Sequence, residues 1–474
     1  MKTGDEYFDS EEFHDMLQEY EQARNTGAPV FLDADELSEI ADYYQMQGQM
    51  DYAETAIEQA LERSPGAIAP LTYRIHEALY NGNIEAAKNY LERIVEKDEP
   101  DYVYDCGEIM IAEGHANEAD SFFRENFKTV SPDEYQDYVV DVANIFADYG
   151  LSEKAMEWVS QAKPENTPDF KELMARTLYG LGKFKDSEKL FNELLDTDPF
   201  QKRYWNALAS AQFMNEDYTA SVQSSEYAIA IDPNDLDGLL TKANGLYRLG
   251  NYEEALIYFR RYSEHEPYDE LALLHQSTCL INLGRTDDAI ETLKNAFEMA
   301  GRQSEYQPDI CQELAFAYSE KGLTDEALAW LDKTDNMDCD HNNIQVIKGH
   351  VLIAAKRIHE GLEQYRQAVL NSDDMSKTTL RIVVSLYDNK YPSIAYLLFK
   401  KFYLALNNND DDGEGYAYMA LCCFDLKKTD EFLEYLEKAC QRNPKECKLV
   451  LGHLFPENVE PQNYYNYIKE KMKL

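Results

Sequence analysis

The chain has 474 residues, with 45 Lys and Arg against 89 Asp and Glu, for a net charge of −44. So negative a surface repels phosphate backbones and anionic lipid, which argues against nucleic-acid and membrane binding and favours protein or peptide partners, basic ones in particular. No apolar run approaches bilayer length, no secretory core follows Met1, and eight scattered cysteines form no disulfide framework, so a reducing cytoplasm is the expected setting.

Residues 1–33 are expected to form an N-terminal capping helix. Asp9-Ser10-Glu11-Glu12 precedes Phe13, Met16, Leu17 and Tyr20, the pattern of a capped amphipathic helix, and Gly27-Ala28-Pro29 reads as a turn. From Ala34 to residue 446 a period of about 34 residues dominates. The clearest copy, Leu236 to Asp269, carries Ala243, Leu246, Gly250, Tyr252, Ala255, Phe259 and Pro267 at the characteristic offsets. The same step runs from Ala53 to Ala87, from Ala209 to Ala243, and from Ala327 through Gly361 to Ala395.

Each copy holds two stretches of helical periodicity. Between them sits a turn such as Leu249-Gly250-Asn251-Tyr252, where glycine suits the left-handed position that ends a helix. A breaker such as Asp198-Pro199, Asp232-Pro233, Glu266-Pro267 or Asn443-Pro444 stops the second stretch. Units are placed starting near Ala34, Ile68, Pro100, Gln136, Pro168, Lys202, Leu236, Glu270, Pro308, Asn342, Ser376 and Gly413. The first small position is Ala, Gly or Ser except at Ile75 and Val383, and the second except at Phe432. The pattern is weakest over 136–167 and 376–412, and Gly301–Tyr306 and Asp335–His341 lengthen two loops. Residues 447–474 read as C-terminal capping helices: Leu449, Val450, Leu451, Leu454 and Phe455, a break from Pro456 to Pro461, then Tyr464, Tyr465, Tyr467, Ile468 and Met472. Docking of other chains is the alternative use of both terminal segments.

The small residues, turn glycines and breakers together resemble the tetratricopeptide repeat, and the first 70 or so residues are similar to those of acidic bacterial proteins built from it. The resemblance implies an all-α fold, a right-handed superhelical solenoid of about twelve helix pairs with roughly 65–80% helix. In that family the first helix of each unit lines a concave groove. By offset, the groove here would present Tyr80, Tyr104, Tyr179, Phe213 and Tyr247, among Arg176, Arg203, Asn206, Asn244 and Arg248. Asparagine can bond an extended peptide backbone and arginine can grip a carboxylate, so Arg176, Tyr179, Arg203, Asn206, Phe213, Asn244, Tyr247 and Arg248 form the expected peptide-binding set. The competing reading pairs these arginines with nearby acids. The clamp of the chaperone-binding type is missing: the comparable positions hold Ser38, Asp42, Thr72 and His76.

Other chemistry is weaker. Gly180-Leu181-Gly182-Lys183 lacks the upstream glycine and the Ser or Thr of a phosphate loop. His76-Glu77 and His359-Glu360 begin like a zinc-protease helix, but neither has a second histidine one turn later. Asn408 to Gly413 starts like a calcium loop and then places Met419 where a glutamate is required. Asp338-Cys339-Asp340-His341 has no second cluster, and Cys440 and Cys447 are too far apart for a metal knuckle. These residues assign no catalytic group, metal or cofactor. The expectation is a monomeric, non-enzymatic scaffold or adaptor that binds a polypeptide in its groove. Alternatives are an acidic holdase for basic clients, or a ligand sensor or enzyme with a dispersed site.

Overall fold

The computed structural model describes residues 5–8, 10–26, 29–301, 304–403, 413–456 and 458–472. The expected Gly27-Ala28 turn, part of the Gly301–Tyr306 loop and the Asn408–Asp412 run lie outside the described residues. The protein is 77% helix, with no strand among the described residues, and its helices pack in adjacent pairs. It divides into two compact units, Met1–Ile231 and Asp232–Leu474.

In the first unit, α1 (Asp5–Phe8) and α2 (Glu11–Thr26) precede six pairs. These are α3 (Ala34–Met46) with α4 (Met50–Arg63), α5 (Ile68–Tyr80) with α6 (Ile84–Arg93), and α7 (Pro100–Ala112) with α8 (Ala116–Phe127). Then come α9 (Tyr135–Asp148) with α10 (Ser152–Val159), α11 (Pro168–Gly180) with α12 (Phe184–Thr197), and α13 (Lys202–Met214) with α14 (Tyr218–Ile231). Ser10 Oγ accepts from the Phe13 amide at the start of α2, and Phe13 and Tyr20 are fully buried with Leu37, Ile40 and Tyr44 of α3. Asp33 and Glu36 form a reciprocal capping box at α3, satisfying amides that a helix start leaves unpaired.

The second unit pairs α15 (Leu236–Arg248) with α16 (Tyr252–His265), α17 (Glu270–Asn282) with α18 (Thr286–Met299), and α19 (Gln307–Glu320) with α20 (Thr324–Asp332). It continues with α21 (His341–Ala354) and α22 (Ile358–Leu370), then α23 (Met375–Asp388) and α24 (Pro392–Leu398), which widens into a π-type turn at Phe399–Tyr403. Helices Tyr416–Asp425, Thr429–Arg442, Pro444–Leu451 and Tyr464–Met472 end the chain. Val450, Leu451, Phe455 and Tyr464 are buried against this last pair, whereas Leu449 is 81% exposed and faces away from it. Consecutive helices bring Cys440 Sγ and Cys447 Sγ within 3.7 Å, a proximity hidden by their separation in sequence.

The two helices of a pair meet at the small residues. Ala41, Ala53, Ala143, Ala155, Ala243 and Ala255 have almost no exposure. Ser187 Oγ donates to the Ala175 carbonyl and Ser221 Oγ to the Ala209 carbonyl, each at 2.8 Å, so the second helix touches the backbone of the first. At Gly349 an added Cβ would lie 2.3 Å from the Tyr365 ring and 3.1 Å from the Gly361 carbonyl oxygen. Apolar side chains beside these crossings join successive pairs, as Leu71 and Ile75 do with Ala87 and Ile109. Stability therefore resides in nearest-neighbour interfaces.

Every pair folds back through a left-handed residue. At Gly250, with φ 77°, its amide donates to the Tyr247 carbonyl and the Asn251 amide to that of Leu246, satisfying carbonyls that the helix end would leave open. Glu216, Lys356, Lys390 and Lys427 hold the same conformation without being glycine, at φ from 57° to 67°.

Two stability effects follow from these contacts. Gly349→Ala should lower stability by about 1–3 kcal/mol through overpacking against Tyr365, even though alanine favours an isolated helix by ~1 kcal/mol; an unchanged denaturant midpoint would contradict the close approach. Lys427→Gly should raise stability by ~0.5–1 kcal/mol, because relief of left-handed strain exceeds the added chain entropy, and a lower melting midpoint would contradict that.

Candidate functional site

Within the first unit, the first helices of four successive pairs line a groove of about 920 Å³. The helical repeat puts residues three and four apart on one face. Hence α5 contributes Thr72, Tyr73, His76, Glu77 and Tyr80, α7 contributes Asp101, Tyr104, Asp105 and Glu108, and α9 contributes Asp141, Asn144, Ile145 and Asp148. Asp42, Gln45 and Met46 of α3 close one end. Seven of these residues are carboxylates: Asp42, Glu77, Asp101, Asp105, Glu108, Asp141 and Asp148.

His76 sits among them. Its Nε2 lies 3.1 Å from Glu108 Oε2 and 3.6 Å from Asp105 Oδ1. Thr72 Oγ1 donates to Asp105 Oδ2 at 2.7 Å, and the Tyr149 hydroxyl donates to Glu108 Oε1 at 3.2 Å. Asp105 is 1% exposed, and its Oδ1 accepts no hydrogen bond. The His76 side chain is 54% open to the groove although protein surrounds it on the other sides. Its enclosure opposes charging, but Glu108, Asp105 and Asp42 outweigh this and lift its pKa to about 9. Burial pushes Asp105 up to about 7 against the pull of His76 and Thr72, and Asp42 up to about 6 against the pull of His76. Burial also raises Asp141, which Tyr104 hydrogen-bonds.

The residues expected to bind peptide fall on α11 and α13 in the first unit and on α15 in the second. Arg176 reaches back to Asp148, at 2.5 Å, and to Asn144, at 3.0 Å, and so closes the far end of the acidic groove. Arg203 lies 3.4 Å from Glu172 and over the Tyr204 ring, while Asn206 is half-buried on the same helix. Tyr179, Phe213 and Tyr247 each pack edge-on against the first aromatic of the following helix, Phe184, Tyr218 and Tyr252. Tyr247 also stacks on His275. Asn244 is half-buried and Arg248 exposed on α15. Asp105, Glu108, Asp141 and Asp148 were not among the residues expected to act. A signal was present in the residues that follow the small position of each first helix: Asp42, His76, Glu108, Asn144 and Arg176 form one column.

Asp42 supplies a pH test. Because its folded pKa is raised, the folded chain holds this proton more tightly than the unfolded one. Its contribution is therefore present below the ordinary carboxylate range and lost as pH rises through about 6. Asp42→Asn should melt above the parent near pH 8, with the difference shrinking as pH falls towards 5; a gap independent of pH would contradict the buried charge.

Comparison with known proteins identifies the repeat. Tetratricopeptide repeat models match residues 173–235 and 240–301, and a further one matches residues 414–446. Human anaphase-promoting complex subunit 7 is 23% identical over 194 residues, which is 41% of this chain; the match spans about a third (34%) of that relative's length. Among solved structures, the Cut9–Hcn1 hetero-tetramer of the same complex is 14% identical, with a TM-score of 0.38, over 85% of this chain and 76% of that one. YrrB, a tetratricopeptide protein described with an unusual peptide-binding site, is 16% identical, with a TM-score of 0.33, over 42% of this chain and 97% of that one. The matched segments are thus tetratricopeptide repeats, and the same helix pairing and small-residue crossings recur in the described residues outside them.

Proposed function

We propose that the protein is a non-enzymatic scaffold that holds a polypeptide segment in the groove lined by α3, α5, α7 and α9, and that this segment carries Lys, Arg or a free amino group. The observation that carries the reading is the gathering of seven carboxylates along one open face about 920 Å³ in extent, with His76 and Arg176 as the cations beside them. Tyr73, Tyr80 and Tyr104 border the same groove and offer apolar area and cation-accepting ring faces to a basic side chain. A cation entering it relieves repulsion among acids that burial already disfavours.

Binding of labelled Lys- and Arg-containing peptides to the full chain, measured by fluorescence anisotropy, tests this. The triple change Asp101→Asn, Asp141→Asn and Asp148→Asn should weaken binding tenfold or more with helicity intact, and acidic peptides should not bind. Equal affinity in the triple variant would overturn the assignment. Aromatic contacts should preserve measurable binding at raised salt, whereas a diffuse acidic holdase would lose its clients there.

A second reading concerns Arg176, Tyr179, Arg203, Asn206, Phe213, Asn244, Tyr247 and Arg248. Its support is that Arg203 and Arg248 are both exposed on the surfaces of their own units. Changing Arg203 to Glu, or Arg248 to Glu, should then weaken capture of peptides ending in a carboxylate; retained capture in both variants would remove these residues from consideration.

A further inference from the structure

We infer that His76, Asp105 and Glu108 form a binding site for a divalent transition-metal cation, for which Zn²⁺ is the probe. One nitrogen and two carboxylate oxygens from these residues lie within 4.8 Å of one another. Metal–ligand bonds of about 2.0–2.2 Å place neighbouring ligand atoms about 3.0–3.5 Å apart. The distances from His76 Nε2, 3.1 Å to Glu108 Oε2 and 3.6 Å to Asp105 Oδ1, are close to such edges.

The surroundings distinguish this cluster from an ordinary acidic patch. Each carboxylate has its outer oxygen engaged by a neutral hydroxyl, Asp105 Oδ2 by Thr72 and Glu108 Oε1 by Tyr149. The inner oxygens are thereby turned towards one point beside His76 Nε2. Partners of this kind orient first ligands at metal sites. Asp105 Oδ1 is the independent sign of a ligand: it belongs to a side chain 1% exposed, accepts no hydrogen bond, and faces the shared point. A buried carboxylate oxygen left without a donor is costly; the His76 imidazolium offsets that cost from 3.6 Å, and a metal ion, displacing the His76 proton, would coordinate the oxygen directly. His76 and Glu108 open onto the groove, so a bound ion would keep positions for water or a guest group.

The three ligands come from adjacent repeats. His76 lies on α5, and Asp105 and Glu108 lie three apart on one face of α7. A bound ion would therefore pin the second pair to the third. The test is calorimetric titration of the chelator-treated full chain with Zn²⁺, together with its melting midpoint. Binding of one equivalent should be lost in His76→Ala, weakened tenfold or more in Glu108→Gln, and weakened 10- to 100-fold in Thr72→Val, which leaves all three ligands in place. Saturating Zn²⁺ should raise the melting midpoint of the parent but not that of His76→Ala. Cys339→Ser should bind as the parent does, since the Cys339–His341 contact in the second unit is a competing thiol site. Affinity unchanged in both His76→Ala and Glu108→Gln, uptake abolished by Cys339→Ser, or no stoichiometric uptake by the parent would overturn the site. The peptide reading is separable, because its variants at Asp101, Asp141 and Asp148 leave these three ligands untouched.

Discussion

Everything in this molecule depends on how closely the two helices of each pair approach. Where Ser187 and Ser221 donate to backbone carbonyls of the facing helix, a side chain of one helix reaches the main chain of the other. Where Gly349 faces Tyr365, even one methyl group has no room. A pair this tight is thin, so it cannot bury its apolar surface alone and must stack on the next pair. The approach thus sets the repeat, and the repeat sets which side chains are brought side by side.

Stacking has an electrostatic consequence. Residues at the same offset in successive first helices stand next to one another, so a one-dimensional pattern becomes a column in space. In the first unit that column runs Asp42, His76, Glu108, Asn144 and Arg176. Acids flank it on both sides, and burial makes several of them poor carriers of charge. The groove is therefore strained for want of positive charge, which His76 and Arg176 relieve only in part. Such a site favours cations of either kind considered above, a basic side chain along its length or a metal at its most enclosed point.

The terminal helices illustrate a different balance. Phe13 and Tyr20 are wholly buried on the first pair, and Val450, Leu451, Phe455 and Tyr464 on the last. The opposite face of the helix that carries Phe13 and Tyr20 presents Glu12, His14, Asp15, Gln18 and Glu19, so its residues divide between core and solvent at the helical spacing. Leu449 departs from that pattern: it is exposed although Val450 and Leu451 after it are buried, because its position on the helix points away from the last pair.

By itself the sequence determined the repeat, its helical character and the places where helices turn. Those features rest on local rules: small residues where backbones meet, glycine where φ is positive, and proline where a helix must stop. Lys356, Lys390 and Lys427 escaped that reading because their left-handed conformation is imposed by the pairs they join rather than by their own preference. Tertiary structure decided the pairings. Arg176 and Arg203 carry no mark in sequence that separates a free guanidinium from one facing Asp148 or Glu172, since those acids lie 28 and 31 residues away. His76 likewise lacks a histidine partner on its own helix, and its neighbours Asp105 and Glu108 come from the next repeat. Contacts between repeats join residues about one period apart, and only the stacking of helix on helix brings such residues within bonding distance.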